Sequence, residues 1–286
     1  MFIEKTIQRK MSIELFRNFR DFIYEKSGLF FPENKLYLLE DRLGHRLVAL
    51  GHKSFQEYFN YLKRLPSQSE ELSKIYNLIT INETYFFRYP AQLEVFKRTL
   101  LPATLHEKSQ ASNKRLKIWS AASSSGEELF TIAFMVKDIL GTSINDWNLE
   151  LKGTDISRQI LEQAKLARYG RNSFRGSSNS SHKAKYFDTV GDSFCIKSDI
   201  REMVSFDYLN LNDVPEIRKH RGLDYIFCRN VLIYFDKEMK KKVIQAFYNV
   251  LNPGGYLLLG EAESLHGISS EFQVEHFPGA FVYQKA

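Results

Sequence analysis

The hydrophobic positions in the first quarter of the chain recur with the period of an α-helix. One stripe contains Ile13, Phe16, Phe19, Phe22 and Ile23, and a second contains Leu39, Leu43, Leu47 and Leu50. Spacings of three and four residues place such side chains on one helix face. Gly51 follows the second stripe as a candidate C-terminal cap, and Pro32 and Pro66 mark loops. We therefore predict an all-helical N-terminal domain over residues 1–80.

The pattern changes from about residue 114, where short apolar runs alternate with helical stripes. The predicted strands cover residues 114–119, 149–154, 223–228, 256–260 and 280–283. Two helices are predicted over residues 127–140 and 237–251. A third is predicted to begin after Ser157, which would be its N-terminal cap. Strands that alternate with helices of this length indicate a doubly wound, mostly parallel α/β sheet. We assign this sheet to a second domain over residues 81–286.

A serine- and asparagine-rich basic stretch interrupts the second domain. Residues 171–185 are predicted to form a flexible loop. Three short apolar clusters follow it, at 186–187, 194–196 and 203–206. We predict that residues 186–206 form a small antiparallel β-subdomain inserted beside the main sheet.

Composition limits the class of protein. The chain has 286 residues, of which 43% are hydrophobic and 26% are charged, which favours folded domains with buried cores. No apolar run approaches the length of a membrane span, and Met1–Lys5 lack the apolar core of a signal peptide. Cys195 and Cys228 have no metal-type spacing, so we expect no metal site and a reducing cytoplasmic location.

The positive charge is concentrated near the N-terminus. Residues 1–65 hold twelve Lys and Arg against eight Asp and Glu, an excess of four out of a net charge of +6 for the whole chain. Such an excess steers a protein toward nucleic acid, acidic lipid or an acidic protein surface. Arg42 and Arg46 lie four residues apart, beside the leucine stripe of the second helix. They form either a partner-binding face or an ordinary solvated basic face.

The end of the first predicted strand carries a candidate cofactor loop. Residues 120–126 are Ala, Ser and Gly only, so the backbone can approach a ligand closely at the carboxyl edge of the sheet. Glu127 and Glu128 occupy the first turn of the following helix and disfavour a phosphate there. A cation without phosphate, such as S-adenosylmethionine, fits the acidic pair better. Asp155 ends the second strand, where a carboxylate accepts hydrogen bonds from ribose hydroxyls; its alternative role is a helix cap.

Several longer motifs resemble one family, the chemotaxis-receptor glutamate O-methyltransferases (CheR). The most unusual is the aromatic segment NETYFFR at residues 82–88. The others are IWSAA at 118–122, SGEE at 125–128, TDIS at 154–157, NL at 210–211, FCRNVLIYFD at 227–236, LG at 259–260 and ESL at 263–265. The resemblance covers essentially the whole chain. Leu129 and Phe130 stand where the family often has Pro-Tyr, a change that leaves the size and polarity of the loop roughly constant.

The resemblance implies a class I, Rossmann-like methyltransferase domain that uses S-adenosylmethionine and releases S-adenosylhomocysteine. It implies that the activity is methyl-ester formation on glutamate side chains of methyl-accepting chemotaxis receptors. The partner would be the cytoplasmic helical bundle of those receptors, with no nucleic acid and no membrane insertion, and we expect a monomer. By motif, the cofactor-binding residues would be Asn82, Thr84, Arg88, Glu128, Asp155, Asn210, Leu211, Arg229 and Asn230.

Arg88 and Tyr234 are the implied catalytic residues. A glutamate carboxylate is ionised at neutral pH, so methyl transfer needs no general base and depends on orientation. Arg88 would bind the carboxylate and Tyr234 would donate its hydroxyl; their alternatives are a structural ion pair and a core aromatic. Arg42 and Arg46 would contact the acidic receptor. A nucleic-acid methyltransferase and a non-catalytic receptor-binding module are the rival functions.

Overall fold

The computed structural model describes residues 10–66, 69–175 and 180–286. Met1–Lys5 and residues 176–179 of the predicted loop lie outside this range. The described parts of 171–185 are largely helical, with a 3-10 turn at Arg171–Phe174 and a helix at Ser180–Tyr186. The prediction of a flexible loop is therefore wrong for these parts.

The N-terminal part is helical, as predicted. Its helices are α1 (Ile13–Ser27), α2 (Leu36–Ala49), α3 (Phe55–Leu62) and α4 (Glu70–Ile79). The predicted stripes face a shared core in which Phe16, Phe19 and Leu43 are fully buried. Gly28 ends α1 and Gly51 follows α2, both in the left-handed conformation that glycine adopts without steric cost.

Seven strands within the described residues form one sheet. They are β1 (Arg115–Ala121), β2 (Asn148–Asp155), β6 (Val204–Tyr208), β7 (Leu223–Cys228), β8 (Leu251–Leu259), β9 (Phe272–Phe277) and β10 (Ala280–Lys285). Their order is β6-β2-β1-β7-β8-β10-β9. The first five in this order are parallel, and β10 and β9 are antiparallel additions at one edge. The predicted doubly wound sheet is confirmed. Its two edge strands, β6 and β9, were not predicted to belong to it.

Helices flank the sheet and connect its strands. They are α5 (Pro90–Val95), α6 (Leu101–Gln110), α7 (Glu127–Leu140), α8 (Arg158–Leu166), α9 (Ser180–Tyr186), α10 (Ser198–Arg201), α11 (Val214–Ile217) and α12 (Lys237–Val250). A π-helical turn, Phe96–Leu100, joins α5 to α6. No helix in these ranges has the length and apolar character needed to cross a membrane.

The small second sheet differs from the prediction. It consists of β3 (Arg168–Tyr169), β4 (Phe187–Val190) and β5 (Ser193–Ile196), in the order β3-β5-β4 with antiparallel pairing. Phe187 and residues 194–196 of the predicted clusters belong to it, whereas Tyr186 ends the helix Ser180–Tyr186. Residues 203–206 do not belong to the small sheet, because Val204–Tyr208 pairs with β2 as a parallel edge strand of the main sheet.

The C-terminal end of α1 packs on the loops at the carboxyl edge of the main sheet. The backbone N–H of Phe30 donates to the carbonyl of Tyr234 at 2.9 Å, and the hydroxyl of Tyr24 donates to Asp236 at 3.0 Å. An added Cβ on Gly28 would lie 2.5 Å from Cε of Met239, so the two surfaces are in close contact. This contact encloses a cavity between the helical part and the sheet.

Candidate active site

The cavity has a volume of about 550 Å³, within the range that holds nucleoside-sized ligands. Its floor is formed by the loops that follow β1, β2 and β7. The sheet order reverses between β1 and β7, and parallel α/β sheets bind ligands at such a switch point. Phe30, Phe31 and Arg42 from the helical part close the other side.

The loop after β1 is strained in a way that exposes its backbone. Ala122, Ser124 and Gly126 have φ of 62°, 51° and 92°. Glycine is required at the last of these, because an added Cβ would lie 2.8 Å from Cζ of Phe206. Three left-handed residues within five make a tight turn into α7 and leave the turn open toward the cavity.

Asp155 is almost completely buried at the end of β2. Its Oδ2 accepts the N–H of Ser124 and its Oδ1 accepts the N–H of Ser157, each at 2.9 Å. Ser157 supplies the cap of α8 through its own hydroxyl, so Asp155 is not the helix cap. Burial raises the pKa of Asp155 to about 6, against the effect of these hydrogen bonds. Each oxygen retains acceptor capacity for a ligand hydroxyl.

The two glutamates at the start of α7 have different environments. Glu128 lines the cavity, accepts a hydrogen bond from Ser120 at 2.8 Å and lies 3.4 Å from Nε of Arg229. Burial raises the pKa of Glu128, and the positive charge of Arg229 opposes that change. Glu127 points away and accepts hydrogen bonds from the hydroxyls of Ser125 and Ser173. One carboxylate, rather than the acidic pair we expected, therefore faces the cavity.

The aromatic segment after α4 crosses the cavity mouth. Phe86 is fully buried among aromatic rings, whereas Asn82, Thr84 and Arg88 line the cavity. The Arg88 guanidinium lies 5.5 Å and 5.1 Å from the rings of Tyr85 and Tyr89 and donates to the carbonyl of Glu83. The buried ring thus anchors the segment while its polar residues face the ligand space.

The loops after β6 and β7 complete the wall. Leu211 and Tyr234 line the cavity, and burial raises the pKa of the Tyr234 hydroxyl, which stays protonated at neutral pH. Asn230 also lines it, with φ of 61° and its amide donating to the Tyr89 hydroxyl at 2.7 Å. Asn210 is at the cavity, but its amide nitrogen donates to the carbonyl of Lys26 at 2.7 Å. The side chain of Asn210 thus joins the cavity wall to α1.

The structure separates the two arginines of α2. Arg42 lines the cavity and donates to the carbonyl of Ile79 at 2.8 Å. Arg46 does not line it, and its guanidinium makes two hydrogen bonds to the buried Glu71, at 3.0 and 2.6 Å. Glu71 also accepts the hydroxyl of Tyr58 at 2.6 Å. The Arg46 charge is thus paired within the helical core, whereas Arg42 lies at the cavity. Partner binding by Arg42 and by Arg46 stays a prediction.

The cavity wall contains buried polar atoms without a hydrogen-bond partner in the described part of the protein. Six buried side-chain atoms within the described ranges have no hydrogen-bond partner, and four of them belong to residues that line this cavity. These four are Arg88 Nε, Ser123 Oγ, Arg229 Nε and Asn230 Oδ1. Buried polar groups in native proteins almost always have partners. Their concentration beside one cavity favours a polar ligand there, and of the four only Arg229 Nε also lies near an ion-pair partner, 3.4 Å from the Glu128 carboxylate.

Comparison with known protein families accounts for most of the chain. Residues 14–80 match the family model described as CheR methyltransferase, all-alpha domain. Residues 82–281 match the model described as CheR methyltransferase, SAM binding domain. The chain belongs to the CheR methyltransferase family.

Curated relatives are similar in sequence to this chain over most of their own length. Chemotaxis protein methyltransferase 2 of Vibrio cholerae is 38% identical over 94% of this chain and 92% of its own. The chemotaxis protein methyltransferase of Borreliella burgdorferi is 32% identical over 86% of each chain. Chemotaxis protein methyltransferase 1 of Pseudomonas aeruginosa is 31% identical over 94% of this chain and 97% of its own. The resemblance we described from the sequence motifs is confirmed at the level of the family.

S-adenosylmethionine, the cofactor of the CheR family, matches the chemistry of this wall. Asp155 has acceptor capacity for ribose hydroxyls, and Glu128 offers a carboxylate to a cationic group. Arg88, whose Nε is unpaired, offers a donor to a carboxylate. The cofactor class is established by the family, whereas the role of each of these residues stays a prediction.

Two residues at the site, Tyr89 beside the cavity wall and Ser123 in it, were not among the individually predicted site residues. Tyr89 has φ of 61° and its ring lies 4.8 Å from the Arg229 guanidinium. The carbonyl of Arg88 also accepts a hydrogen bond from Arg229. Ser123 lies inside the small-residue loop without a partner for its hydroxyl. Tyr89 directly follows the aromatic segment and Ser123 lies inside the predicted loop, and these positions were the available signal. The partners of Tyr89, Arg229 and Asn230, come from a distant part of the chain.

Proposed function

We propose that this CheR-family methyltransferase transfers the methyl group of S-adenosylmethionine to glutamate side-chain carboxylates of methyl-accepting chemotaxis receptors. The observation that carries the proposal is the position of Arg88 and Tyr234, which line one cavity that opens beside the helical part. A cationic donor and a protonated phenol at the mouth of a cofactor cavity suit a carboxylate acceptor. The names of the curated relatives support a role in chemotaxis.

The bound cofactor supplies an electrophilic methyl group on sulfur. One carboxylate oxygen forms a bond to the methyl carbon, the sulfur–methyl bond breaks, and no proton is transferred. Arg88 and Tyr234 hold the carboxylate by hydrogen bonds in line with that carbon. Orientation of this kind gives effective molarities on the order of 10⁵ M or more. Tyr234 remains a donor at neutral pH, since a tyrosine hydroxyl ordinarily has a pKa of about 10 and burial raises this pKa further.

The rim of the cavity is suited to an amphipathic acidic helix. Phe30, Ile81 and Ile233 line the cavity and are 42%, 50% and 52% exposed, which is high for large apolar side chains. Lys35 and Arg42 add positive charge at the same rim. A receptor helix that carries glutamates beside small apolar residues would bury the three apolar side chains and pair with the two basic ones.

The test is transfer of labelled methyl groups to cytoplasmic fragments of candidate chemotaxis receptors. We expect base-labile methyl esters in the fragment and no label in added RNA or DNA. Arg88→Ala should lower the rate by about 10- to 100-fold, since a charge-assisted hydrogen bond is lost. Tyr234→Phe should lower the rate several-fold while S-adenosylhomocysteine still binds. If neither substitution changes the rate, or if the label enters nucleic acid, the proposal is wrong.

A further inference from the structure

Glu263 has an unusual set of hydrogen bonds. Its Oε2 accepts the backbone N–H groups of Asn230 at 2.7 Å and Gly260 at 2.8 Å. Its Oε1 accepts those of Val231 at 2.9 Å and Ile233 at 3.3 Å. The residue is 4% exposed and does not line the cavity. Its carboxylate is therefore occupied by four backbone donors and is not available to a ligand.

Three of these donors belong to the turn that follows β7. This turn carries Arg229, Asn230 and Tyr234, all of which line the cofactor cavity. Asn230 has φ of 61°, a left-handed conformation that asparagine tolerates better than other residues with a Cβ but adopts less readily than glycine. Contacts from the surroundings help to hold such a conformation. Glu263 provides that constraint, because its two oxygens bind consecutive N–H groups on both sides of the left-handed residue.

Gly260 contributes to the same arrangement through its lack of a side chain as well as through its N–H group. An added Cβ at this position would lie 2.8 Å from Oε2 of Glu263 and 3.0 Å from the backbone nitrogen of Asn230. Both distances are shorter than ordinary contacts, so the end of β8 must lack a side chain for the carboxylate to reach the turn. The packing of Gly260 and the hydrogen bonds of Glu263 thus define the same geometry.

We propose that Glu263 is a positioning residue of the cofactor site. Successive N–H groups in a left-handed turn attract an anion. Here the protein supplies the anion from its own interior, so the turn is formed before the cofactor binds. Arg229, Asn230 and Tyr234 are consequently held in place without energy from the cofactor. The proposal depends on cofactor binding, which the family establishes, and not on the identity of the methyl acceptor.

The first test measures the affinity of the full chain for S-adenosylhomocysteine by calorimetry. Glu263→Gln replaces one oxygen by an NH₂ group, which faces two backbone donors and cannot accept from them. We expect the dissociation constant to rise about tenfold, since binding must then rebuild the turn. Gly260→Ala should raise it similarly. A folded Glu263→Gln or Gly260→Ala protein with wild-type affinity would overturn the proposal.

Glu71→Gln is the matched control. Glu71 is also a buried carboxylate with several donors, but it lies in the helical core, away from the cavity. Both substitutions should lower stability in urea, whereas the loss of S-adenosylhomocysteine affinity should be confined to Glu263→Gln. Equal weakening by the two substitutions would mean that general destabilisation, and not positioning, explains the effect.

The second test uses the unmodified protein and does not depend on how a variant folds. The amide hydrogens of Asn230, Val231 and Ile233 should exchange slowly with solvent before any cofactor is added. Addition of S-adenosylhomocysteine should change their protection by less than about threefold beyond the global stabilisation expected from binding. If these amides become protected only with the ligand, the turn is not pre-formed and the proposal fails.

Discussion

Lowering the pH below 6 should weaken cofactor binding through Asp155. Burial raises the pKa of this carboxyl group from 3.8 to about 6 in the folded protein. Ribose hydroxyls donate hydrogen bonds, so the cofactor binds the ionised form of Asp155 in preference to the protonated form. The affinity should therefore increase as the pH rises through about 6 and decrease as it falls.

The size of the effect follows from the fraction of the protein with Asp155 ionised. At about pH 5, one unit below the pKa, roughly one molecule in ten is ionised, so the apparent dissociation constant should be about tenfold larger than at pH 7.5. Ionisation of Asp155 affects folding stability in the opposite direction from cofactor affinity. The raised pKa means that the folded state binds the proton more tightly than the unfolded state. The contribution of Asp155 to stability should therefore fall as the pH rises from about 4 to about 6, by about 3 kcal/mol, and the difference between the wild type and Asp155→Asn isolates it.

Calorimetric titration with S-adenosylhomocysteine between about pH 7.5 and about pH 5 measures the binding effect. Asp155→Asn should weaken binding by about 10- to 100-fold at neutral pH and remove the pH dependence. Glu128→Gln is the necessary comparison, because burial raises the pKa of Glu128 as well and this residue also lines the cavity. That variant should retain the pH dependence if Asp155 causes it. An affinity that changes less than twofold in the wild type, or a tenfold change that persists in Asp155→Asn, would refute the reasoning.

Three further predictions concern the helical part and the rim. Arg42→Glu should slow receptor methylation at low salt and leave S-adenosylhomocysteine affinity unchanged, whereas Arg64→Glu, at an exposed site away from the cavity, should change neither. Arg46→Ala should lower stability in urea by about 3 kcal/mol, because it leaves the Glu71 carboxylate buried without its cation; a loss below about 0.5 kcal/mol would contradict a structural role. Ile233→Asp should lower receptor methylation at least several-fold, measured with labelled cofactor, while thermal stability stays within a few degrees; unchanged methylation would exclude this side chain from the receptor contact.

The features that local sequence determines were predicted well. The helix expected over 127–140 is α7, Glu127–Leu140, and the hydroxyl of Ser157 caps α8 by accepting the N–H of Ile160. Both depend on a hydrophobic period or on a cap within a few residues, which a sequence displays directly. Parallel α/β sheets bind ligands at the carboxyl ends of their strands, and this rule also holds here. Glu128 and Asp155 follow different strands and line one cavity.

Features that depend on distant partners were not predictable in this way. The apolar cluster at 203–206 has the composition of a strand, but nothing within it specifies β2 as its parallel neighbour. In the sequence, Arg46 lies beside a leucine stripe, a position that a solvent-exposed arginine also commonly occupies. Only the fold brings the Glu71 carboxylate to 2.6 Å from its guanidinium. The hydrogen bonds of Glu263 likewise join residues about 30 positions apart.

The same reasoning applies to the relation between the helical part and the cofactor site. Asn210 was predicted to bind cofactor, yet its amide is committed to the carbonyl of Lys26 at the end of α1. Phe30, a few residues further on, binds the carbonyl of Tyr234 and also contributes to the exposed rim. One end of α1 thus contacts the loop after β6, the loop after β7 and the rim. Because α1 is hydrogen-bonded to Asn210 through the Lys26 carbonyl, and the segment after it to Tyr234 through the Phe30 N–H, a shift of α1 must break these bonds or move the two loops. The helical part is consequently a structural component of the methyl-transfer site as well as the surface proposed to face the receptor.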